Sequence, residues 1–103
     1  MSDRQSITTA EVVLPCTELE ATLEFYIEEL GFRIEAIFPA DNPAVVRLSG
    51  HGLALRLERG LDMPPGLLRL GAAQLDEARE LIAPNGTRIQ FEPTDETPPL
   101  PAN

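Results

Sequence analysis

The first part of the chain carries one apolar run followed by one helical stripe. Residues Ile7 to Leu14 are apolar and rich in β-branched side chains, and the run stops at Pro15, which predicts a strand. Apolar residues then recur every three or four positions, with glutamates on the opposite side. This stripe predicts a helix from about Glu18 to Leu30, and its apolar members are Leu19, Leu23, Tyr26, Ile27 and Leu30.

Residues at both ends of the stripe favour the same helix boundaries. Thr17 and Glu20 fit a capping box, in which the Thr17 hydroxyl accepts a hydrogen bond from the backbone N–H of Glu20 and the Glu20 carboxylate accepts one from the cap residue. Gly31 follows the last apolar position, where a left-handed residue often ends a helix.

Three more apolar runs follow the helix, separated by turn residues. Ala40-Asp41-Asn42-Pro43 is typical of a turn, and Ser49-Gly50-His51-Gly52 has the length and glycine content of a hairpin. The runs predict strands over Phe32 to Pro39, Ala44 to Leu48 and Gly52 to Glu58. The pattern up to this point is strand, helix and three strands.

The pattern starts again after a linker at Arg59 to Pro65, which contains two prolines and a glycine. Gly66 to Gly71 predicts a short strand, and Thr87 to Phe91 predicts another. Between them lies a weaker helical stripe, which ends at Pro84-Asn85-Gly86. This stripe predicts a second helix from four residues, Leu75, Ala78, Leu81 and Ile82.

These elements predict an α+β fold, in which a βαβββ module is followed by an incomplete second βαβ module. A chain of 103 residues holds one domain, and we assign residues 1–91 to it. Residues 92–103 are rich in proline, threonine and acidic side chains and have no apolar periodicity, which is typical of an extended or disordered tail or linker.

The charge of the chain excludes two classes of partner. Its 17 acidic and 8 basic side chains leave a formal net charge of −9, which repels phosphate backbones and anionic lipid. No apolar run approaches the ~20 residues of a membrane span, and the N-terminal residues lack the pattern of a signal peptide. Together with a single cysteine, these features predict a cytoplasmic protein that binds neither nucleic acid nor membranes.

One segment, VVLPCTELEATLEFYIEELGFRIE, resembles the opening of the glyoxalase/bleomycin-resistance/extradiol dioxygenase (vicinal oxygen chelate) superfamily. A second segment, SGHGLALRLERG, is similar to the hairpin that leads into the fourth strand of the first module. The resemblance covers residues 7 to 60 and extends to about 91. It implies two tandem modules whose mixed sheet forms a cleft. The matched motif residues are Phe25, Tyr26, Leu30, Gly31 and Phe32.

The resemblance also implies where metal-dependent relatives hold their ligands, on the first and fourth strands of each module. Here the first position falls on Glu11, and the second on Arg56 or, after a slip of two residues, on Glu58. The third falls near Leu67, and the fourth lies on a strand that the pattern does not predict. A guanidinium only donates hydrogen bonds, and a leucine side chain has no atom that can bind a metal. We therefore expect no metal, no other cofactor and no catalytic residue.

Strand alternation predicts a group of charged residues on the cleft side of the sheet. Glu11 and Arg56 lie on neighbouring strands and can pair, while Arg47 on the third strand can join them and Glu58 faces the same side. One interpretation is a salt-bridge ladder of little energetic value. The other is a polar anchor for a small organic molecule, which makes these four residues the candidate ligand-binding site.

Two further residues could carry chemistry. His51 is the only histidine and lies in a turn, so we expect it to be solvated. Cys16 precedes the helix, whose N-terminus can lower the pKa of a thiol. No histidine is placed to act as its base, so we expect a small buried residue instead.

The pattern favours a non-metal binding or assembly module. Because the second module is short of strands, we expect its open edge to be covered by a second copy of the chain or by a fused second domain. Two alternatives stay open. One is a divalent-metal lyase, isomerase or dioxygenase, with Glu11 and Glu58 as ligands completed by a partner chain. The other is a structural domain that stabilises a fused partner.

Overall fold

The computed structural model describes residues 6–39 and 44–94, which form two sheets and one helix. The predicted α+β fold is confirmed. The elements are β1 (Val12–Cys16), α1 (Leu19–Glu24) with a π-helical turn (Phe25–Glu29) that continues it, β2 (Arg33–Phe38), β3 (Val45–Gly50), β4 (Leu53–Arg59), β5 (Leu67–Ala72), β6 (Arg79–Ile82) and β7 (Arg88–Pro93). None of this helical structure has the length and apolar character that would let it span a membrane.

The first sheet has the strand order β1-β4-β3-β2, with β1 parallel to β4 and the other pairs antiparallel. Alternate residues of each strand point to opposite faces. Leu55 and Leu57 of the central strand β4 are fully buried on one of these faces, together with Tyr26 from the helical segment. The opposite face carries Ala54, Arg56 and Glu58, which are only partly buried.

The second sheet repeats three strands of this arrangement. Its order is β5-β7-β6, with β5 parallel to β7 and β6 antiparallel to β7. In the first sheet β1, β4 and β3 are related in the same way, so β7 is the counterpart of β4. The prediction that the strand of the fourth implied ligand position is missing is therefore wrong, because β7 is that strand. Within the described residues, the second module lacks the helix and the counterpart of β2 instead.

The second predicted helix is also wrong. Residues 73–78 form turns and bends, and Arg79–Ile82 is the strand β6. Leu81 lies opposite the buried Ile89 in the sheet, and Glu80 pairs with Arg88 of β7 at 3.0 Å. Four apolar residues make too short a stripe to stabilise a helix in water, whereas the strand gains a ladder with β7.

Several boundaries near α1 differ from the prediction. The first strand was expected from Ile7 to Leu14, but it begins five residues later and ends two residues later. It includes Pro15, which is tolerated because β1 is an edge strand. The capping box does not form: Glu18 is the N-cap residue and no side chain caps the helix. Gly31 has a φ of 81°, as predicted for a left-handed residue after the helix.

Two other predictions fall partly or wholly outside the described residues. The predicted turn at residues 40–43 is one of them. The predicted tail begins at Glu92, but β7 continues to Pro93. Only residues 95–103 of that tail lie outside the described part of the chain.

Tyr26 and Asn85 join the two modules. The Tyr26 side chain is fully buried, and its hydroxyl donates to Oδ1 of Asn85 at 3.5 Å. The Asn85 amide in turn donates to the Pro15 carbonyl at 2.8 Å. Burial raises the pKa of the Tyr26 phenol, against smaller opposing effects of the Thr87 and Asn85 side chains. Apolar residues of both modules pack around this contact as one core, which includes Leu14, Phe32, Val46, Leu48, Leu55, Leu57, Leu68, Ala83 and Ile89.

Candidate functional site

The four predicted site residues lie together on the face of the first sheet that points away from α1. Glu11 immediately precedes β1, Arg47 lies on β3, and Arg56 and Glu58 lie on β4. We call these four residues the polar cluster. The structure thus brings together every residue of the predicted site, although two of its neighbours, Val13 and Ala54, are apolar.

Two arginines face each other directly across the β3–β4 ladder. Arg47 and Arg56 are cross-strand partners, an arrangement that is unfavourable for like charges unless an anion lies nearby. Glu11 supplies that anion. Its Oε1 lies 3.4 Å from Nε of Arg47, and its Oε2 lies 3.6 Å from Nη1 of Arg56. Nε of Arg56 also donates to Oε1 of Glu58 at 3.1 Å, so each guanidinium has at least one carboxylate partner.

The polar cluster lies on an open sheet face. Between 29% and 43% of the surface of each of its side chains is accessible to solvent. Apolar neighbours on this face include Val13, opposite Arg56, and Val45, opposite Glu58. This face therefore offers two guanidinium groups and two carboxylates beside apolar residues. The sheet forms one wall of the site, and no described part of the chain covers it from the opposite side.

The residues at the implied ligand positions do not fit a metal ion. The guanidinium of Arg56 contacts both nearby carboxylates, those of Glu11 and Glu58. The Leu67 side chain has no atom that can bind a metal. The counterpart of Arg56 on β7 is Gln90, whose side-chain oxygen accepts two hydrogen bonds from Arg69. Throughout the described ranges, no three His, Cys, Asp or Glu side chains are grouped closely enough to hold a metal.

The second sheet carries a charged ladder of its own, and its geometry is tighter. Arg88 donates to both oxygens of Glu80, at 3.0 and 3.1 Å, in a bidentate pair. Hydrogen bonds from Arg88 and Gln90 lower the pKa of Glu80, and the contact with Glu80 raises the pKa of Arg88. The ion pairs of Glu11 are longer, at 3.4 and 3.6 Å, and go to two separate guanidinium groups.

A cavity of about 520 Å³ lies away from the polar cluster, between the two modules. Its apolar lining comes from Leu30 at the end of the helical segment, Leu53 of β4, and Leu70 and Phe91 of the second sheet. A helix in the second module would be expected to cover this apolar face, as α1 covers its own sheet. Sequence reasoning missed the cavity because it predicted that helix.

His51 holds the β3–β4 hairpin against the end of the helical segment. Its Nε2 lies 2.6 Å from the Leu30 carbonyl oxygen, and because a carbonyl only accepts, Nε2 is the donor. The ring also packs edge-on against Phe32, with 5.2 Å between the ring centroids. His51 is exposed and lies in a turn, as predicted, but the prediction did not include these two contacts. Its partner lies 21 residues away, so no local pattern in the sequence indicates it.

Replacing His51 separates the contribution of its side chain from that of its backbone. The residue has a φ of 54°, which glycine adopts freely and alanine does not. We expect His51→Ala to lower the free energy of unfolding by about 1 kcal/mol, the usual net value of one hydrogen bond, because histidine and alanine both bear the cost of the left-handed conformation. His51→Gly should lower it by less, because glycine loses the same hydrogen bond but does not bear that cost. Urea denaturation measures both, and an alanine variant as stable as the unchanged protein would contradict the contact.

Cys16 is buried at the end of β1, as expected for a small packing residue. Burial raises the pKa of its thiol, and the positive charge of Arg59 opposes this effect only in part. A buried thiol that resists ionisation is a poor nucleophile. The structure therefore does not favour a reactive cysteine at this position.

We expect Cys16 to react with a disulfide reagent only as the protein unfolds. In the folded state, labelling at pH 8 should be slow and should accelerate at the urea midpoint. Because folding raises the pKa of this thiol, stability should fall as the pH rises above the unfolded thiol pKa of about 8.5. The control is Glu24→Cys in a Cys16→Ala background, which replaces an exposed residue and should react at once. Fast labelling of folded, unmodified protein would contradict this account.

The sequence matches no protein-family model and no curated protein. The fold, by contrast, matches solved structures. TnmS3, an antibiotic-binding protein from Streptomyces sp. CB03234, superposes with a TM-score of 0.65 at 18% identity, over 87% of this chain and 98% of that one. The bleomycin-binding protein of Streptomyces verticillus, complexed with copper(II)-bleomycin, has a TM-score of 0.61 at 11% identity, over 89% and 100%.

A third similar structure is a lactoylglutathione lyase from Agrobacterium tumefaciens, with a TM-score of 0.61 at 12% identity, over 87% of this chain and 96% of that one. These identities are low, so the likeness establishes the fold. The resemblance noted in the sequence is confirmed at that level. The chain has the fold of the glyoxalase/bleomycin-resistance (vicinal oxygen chelate) superfamily.

Proposed function

We propose that this chain is a small-molecule-binding domain that works without a metal and holds its ligand at the polar cluster. The observation that carries the proposal is the directly opposed pair Arg47 and Arg56, bridged by Glu11 on an open face beside apolar residues. Ligand sites commonly combine such an apolar surface with a few charged groups. Similar structures that bind an antibiotic and bleomycin support this class of function.

A purely structural role accounts less well for the polar cluster. Partly exposed ion pairs contribute about 0–1 kcal/mol each to stability, and placing two arginines opposite each other costs part of that. The chain already has a tighter ion pair of this kind, between Glu80 and Arg88. The looser geometry around Glu11 suits groups that exchange partners when a ligand binds.

We also propose that a second copy of the chain supplies the missing wall of the site. On the face of the second sheet that carries Arg88, two apolar side chains flank this arginine. Leu67 is 45% exposed and Ile82 is 60% exposed. Phe38, 44% exposed, lies beside Val45 at the edge of the first sheet. Such apolar surface is typical of an interface. A fused second domain is the alternative cover.

The oligomeric state tests this part of the proposal. Light scattering after size exclusion should give twice the chain mass of 11.3 kDa, and Ile82→Glu should give a single chain. A control, Ile7→Glu, changes an isoleucine that is even more exposed than Ile82 but lies outside both sheets, and it should leave the dimer intact. A mass of one chain at all concentrations would exclude a second copy as the cover.

A thermal-shift screen combined with metal analysis tests the function itself. The screen includes bleomycin, and we expect it to find compounds that raise the melting temperature of the protein. We also expect the purified protein to contain no stoichiometric metal. The metalloenzyme alternative needs Glu11 and Glu58 as ligands, yet both contact Arg56. Stoichiometric iron, zinc, nickel or manganese that is lost in Glu11→Ala would overturn the non-metal proposal. A screen without any stabilising compound would favour a structural domain.

A further inference from the structure

Glu11 occupies the position between two guanidinium groups that an external carboxylate would take. One of its oxygens faces Arg47 and the other faces Arg56, so the two arginines are spaced to receive one carboxylate, one oxygen each. Charge-assisted N–H···O contacts are usually about 2.7–2.9 Å long. The observed distances of 3.4 and 3.6 Å leave room for a closer fit by a group that the backbone does not tether.

The backbone around Glu11 allows its side chain to leave. The residue precedes the first residue of β1, so it takes no part in the ladder with β4. Residues 6–10 before it are exposed and form no helix or strand. Its carboxylate can therefore turn into solvent at the cost of two long ion pairs, whereas Glu58 stays held by the strand β4 and by its 3.1 Å contact with Arg56.

The floor beside the arginines is apolar. Val13 is the partner of Arg56 on β1, and Val45 lies two residues before Arg47 on β3, on the same face. Ala54 lies two residues before Arg56 and adds little bulk. A flat apolar group attached to a carboxylate would cover this floor while its charged end met the guanidinium groups.

We propose that the polar cluster selects small organic carboxylates with an apolar body, and that Glu11 is an internal competitor which the ligand carboxylate displaces from Arg47 and Arg56. This inference rests on the proposed function, because it names the ligand class of the same site. It predicts that removing the charge of Glu11 strengthens binding. Loss of an anchoring arginine should weaken it.

Amide NMR shifts of the full chain, titrated with benzoate, benzamide and acetate, test the inference. Benzoate should bind at the polar cluster, benzamide should bind more weakly because it lacks the charge, and acetate more weakly because it lacks the apolar body. Glu11→Gln should raise the benzoate affinity about fivefold, the equivalent of one partly exposed ion pair, and leave benzamide unchanged. Arg47→Gln should lower the benzoate affinity by a similar factor.

Matched variants on the second sheet are the controls. Glu80→Gln and Arg69→Gln remove one charge each from the other ladder and should leave benzoate binding unchanged. A benzoate affinity that Glu11→Gln leaves unchanged or lowers would overturn the inference, as would equal affinity for benzoate and benzamide. If benzamide alone shifts the amides around the polar cluster, the proposed binding function stands and the carboxylate preference fails. If neither shifts them, both fail.

Discussion

Replacing Tyr26 with alanine is expected to lower the free energy of unfolding by about 3–5 kcal/mol, the usual cost of removing a large buried aromatic ring. The side chain is 0% exposed, and it packs against the rings of Phe25 and Phe32. It also lies where Asn85 of the second module joins the first. Since a domain of this size has about 5–15 kcal/mol of stability in total, the variant should lose a large fraction of it, and its melting temperature should fall by at least about 10 °C.

Tyr26→Phe is the control for this prediction. It keeps the ring and removes only the hydroxyl, whose contact with Asn85 is long at 3.5 Å. We expect this variant to lose about 1 kcal/mol or less. Thermal and urea denaturation followed by circular dichroism measure both changes. An alanine variant that loses no more than the phenylalanine variant would show that the ring does not join the two modules.

Replacing Arg56 with alanine is expected to weaken ligand binding at least about tenfold while leaving the fold intact. Arg56 is the residue that contacts both carboxylates of the polar cluster, so its loss leaves Glu11 and Glu58 without this partner and turns a neutral group of charges into an acidic one. Because the side chain is partly exposed, we expect a stability change of about 1 kcal/mol or less. Binding of any compound found in the screen should fall at least about tenfold, or 1.4 kcal/mol.

Arg88→Ala is the matched control, because Arg88 also lies in a charged ladder but on the second sheet. Arg88→Ala should leave the contacts between one chain and its ligand unchanged. The dimer state of both variants must be measured alongside, since Arg88 lies between Leu67 and Ile82. Equal loss of binding in both variants, with both still dimeric, would place the site away from the polar cluster.

The first module could be predicted well because its signals are long and agree with each other. The helical stripe repeats over more than three turns, ends at Gly31, and is followed by strands separated by a hairpin turn. The boundaries were less predictable. Pro15 is tolerated inside β1 because β1 is an edge strand. Whether β1 lies at the edge depends on its pairing with β4, which the local sequence does not show.

The second module could not be predicted in the same way because its stripe is short. Leu75, Ala78, Leu81 and Ile82 fit a helix by spacing, but two of them also fit a strand that pairs with β7. The choice depends on the ladder and on the pair formed by Glu80 and Arg88, which local sequence does not reveal. The cavity beside Leu70 is a consequence of the same missing helix.

The grouping of the candidate site could be predicted because it needs only two facts. Strand alternation places Arg47, Arg56 and Glu58 on one face, and the superfamily resemblance makes β1 a neighbour of β4, which brings Glu11 close. Contacts between distant residues were out of reach. The His51 contact with Leu30 and the Asn85 contact with Pro15 each join segments that only the folded chain brings together.

A crystal structure of the protein with the tightest-binding compound of the screen tests most directly where a ligand binds. We predict that the compound contacts Arg47 and Arg56 on the open face of the first sheet, with a second copy of the chain opposite. A compound found instead in the cavity beside Leu70 and Phe91, or a metal ion coordinated by Glu11 and Glu58, would contradict the account.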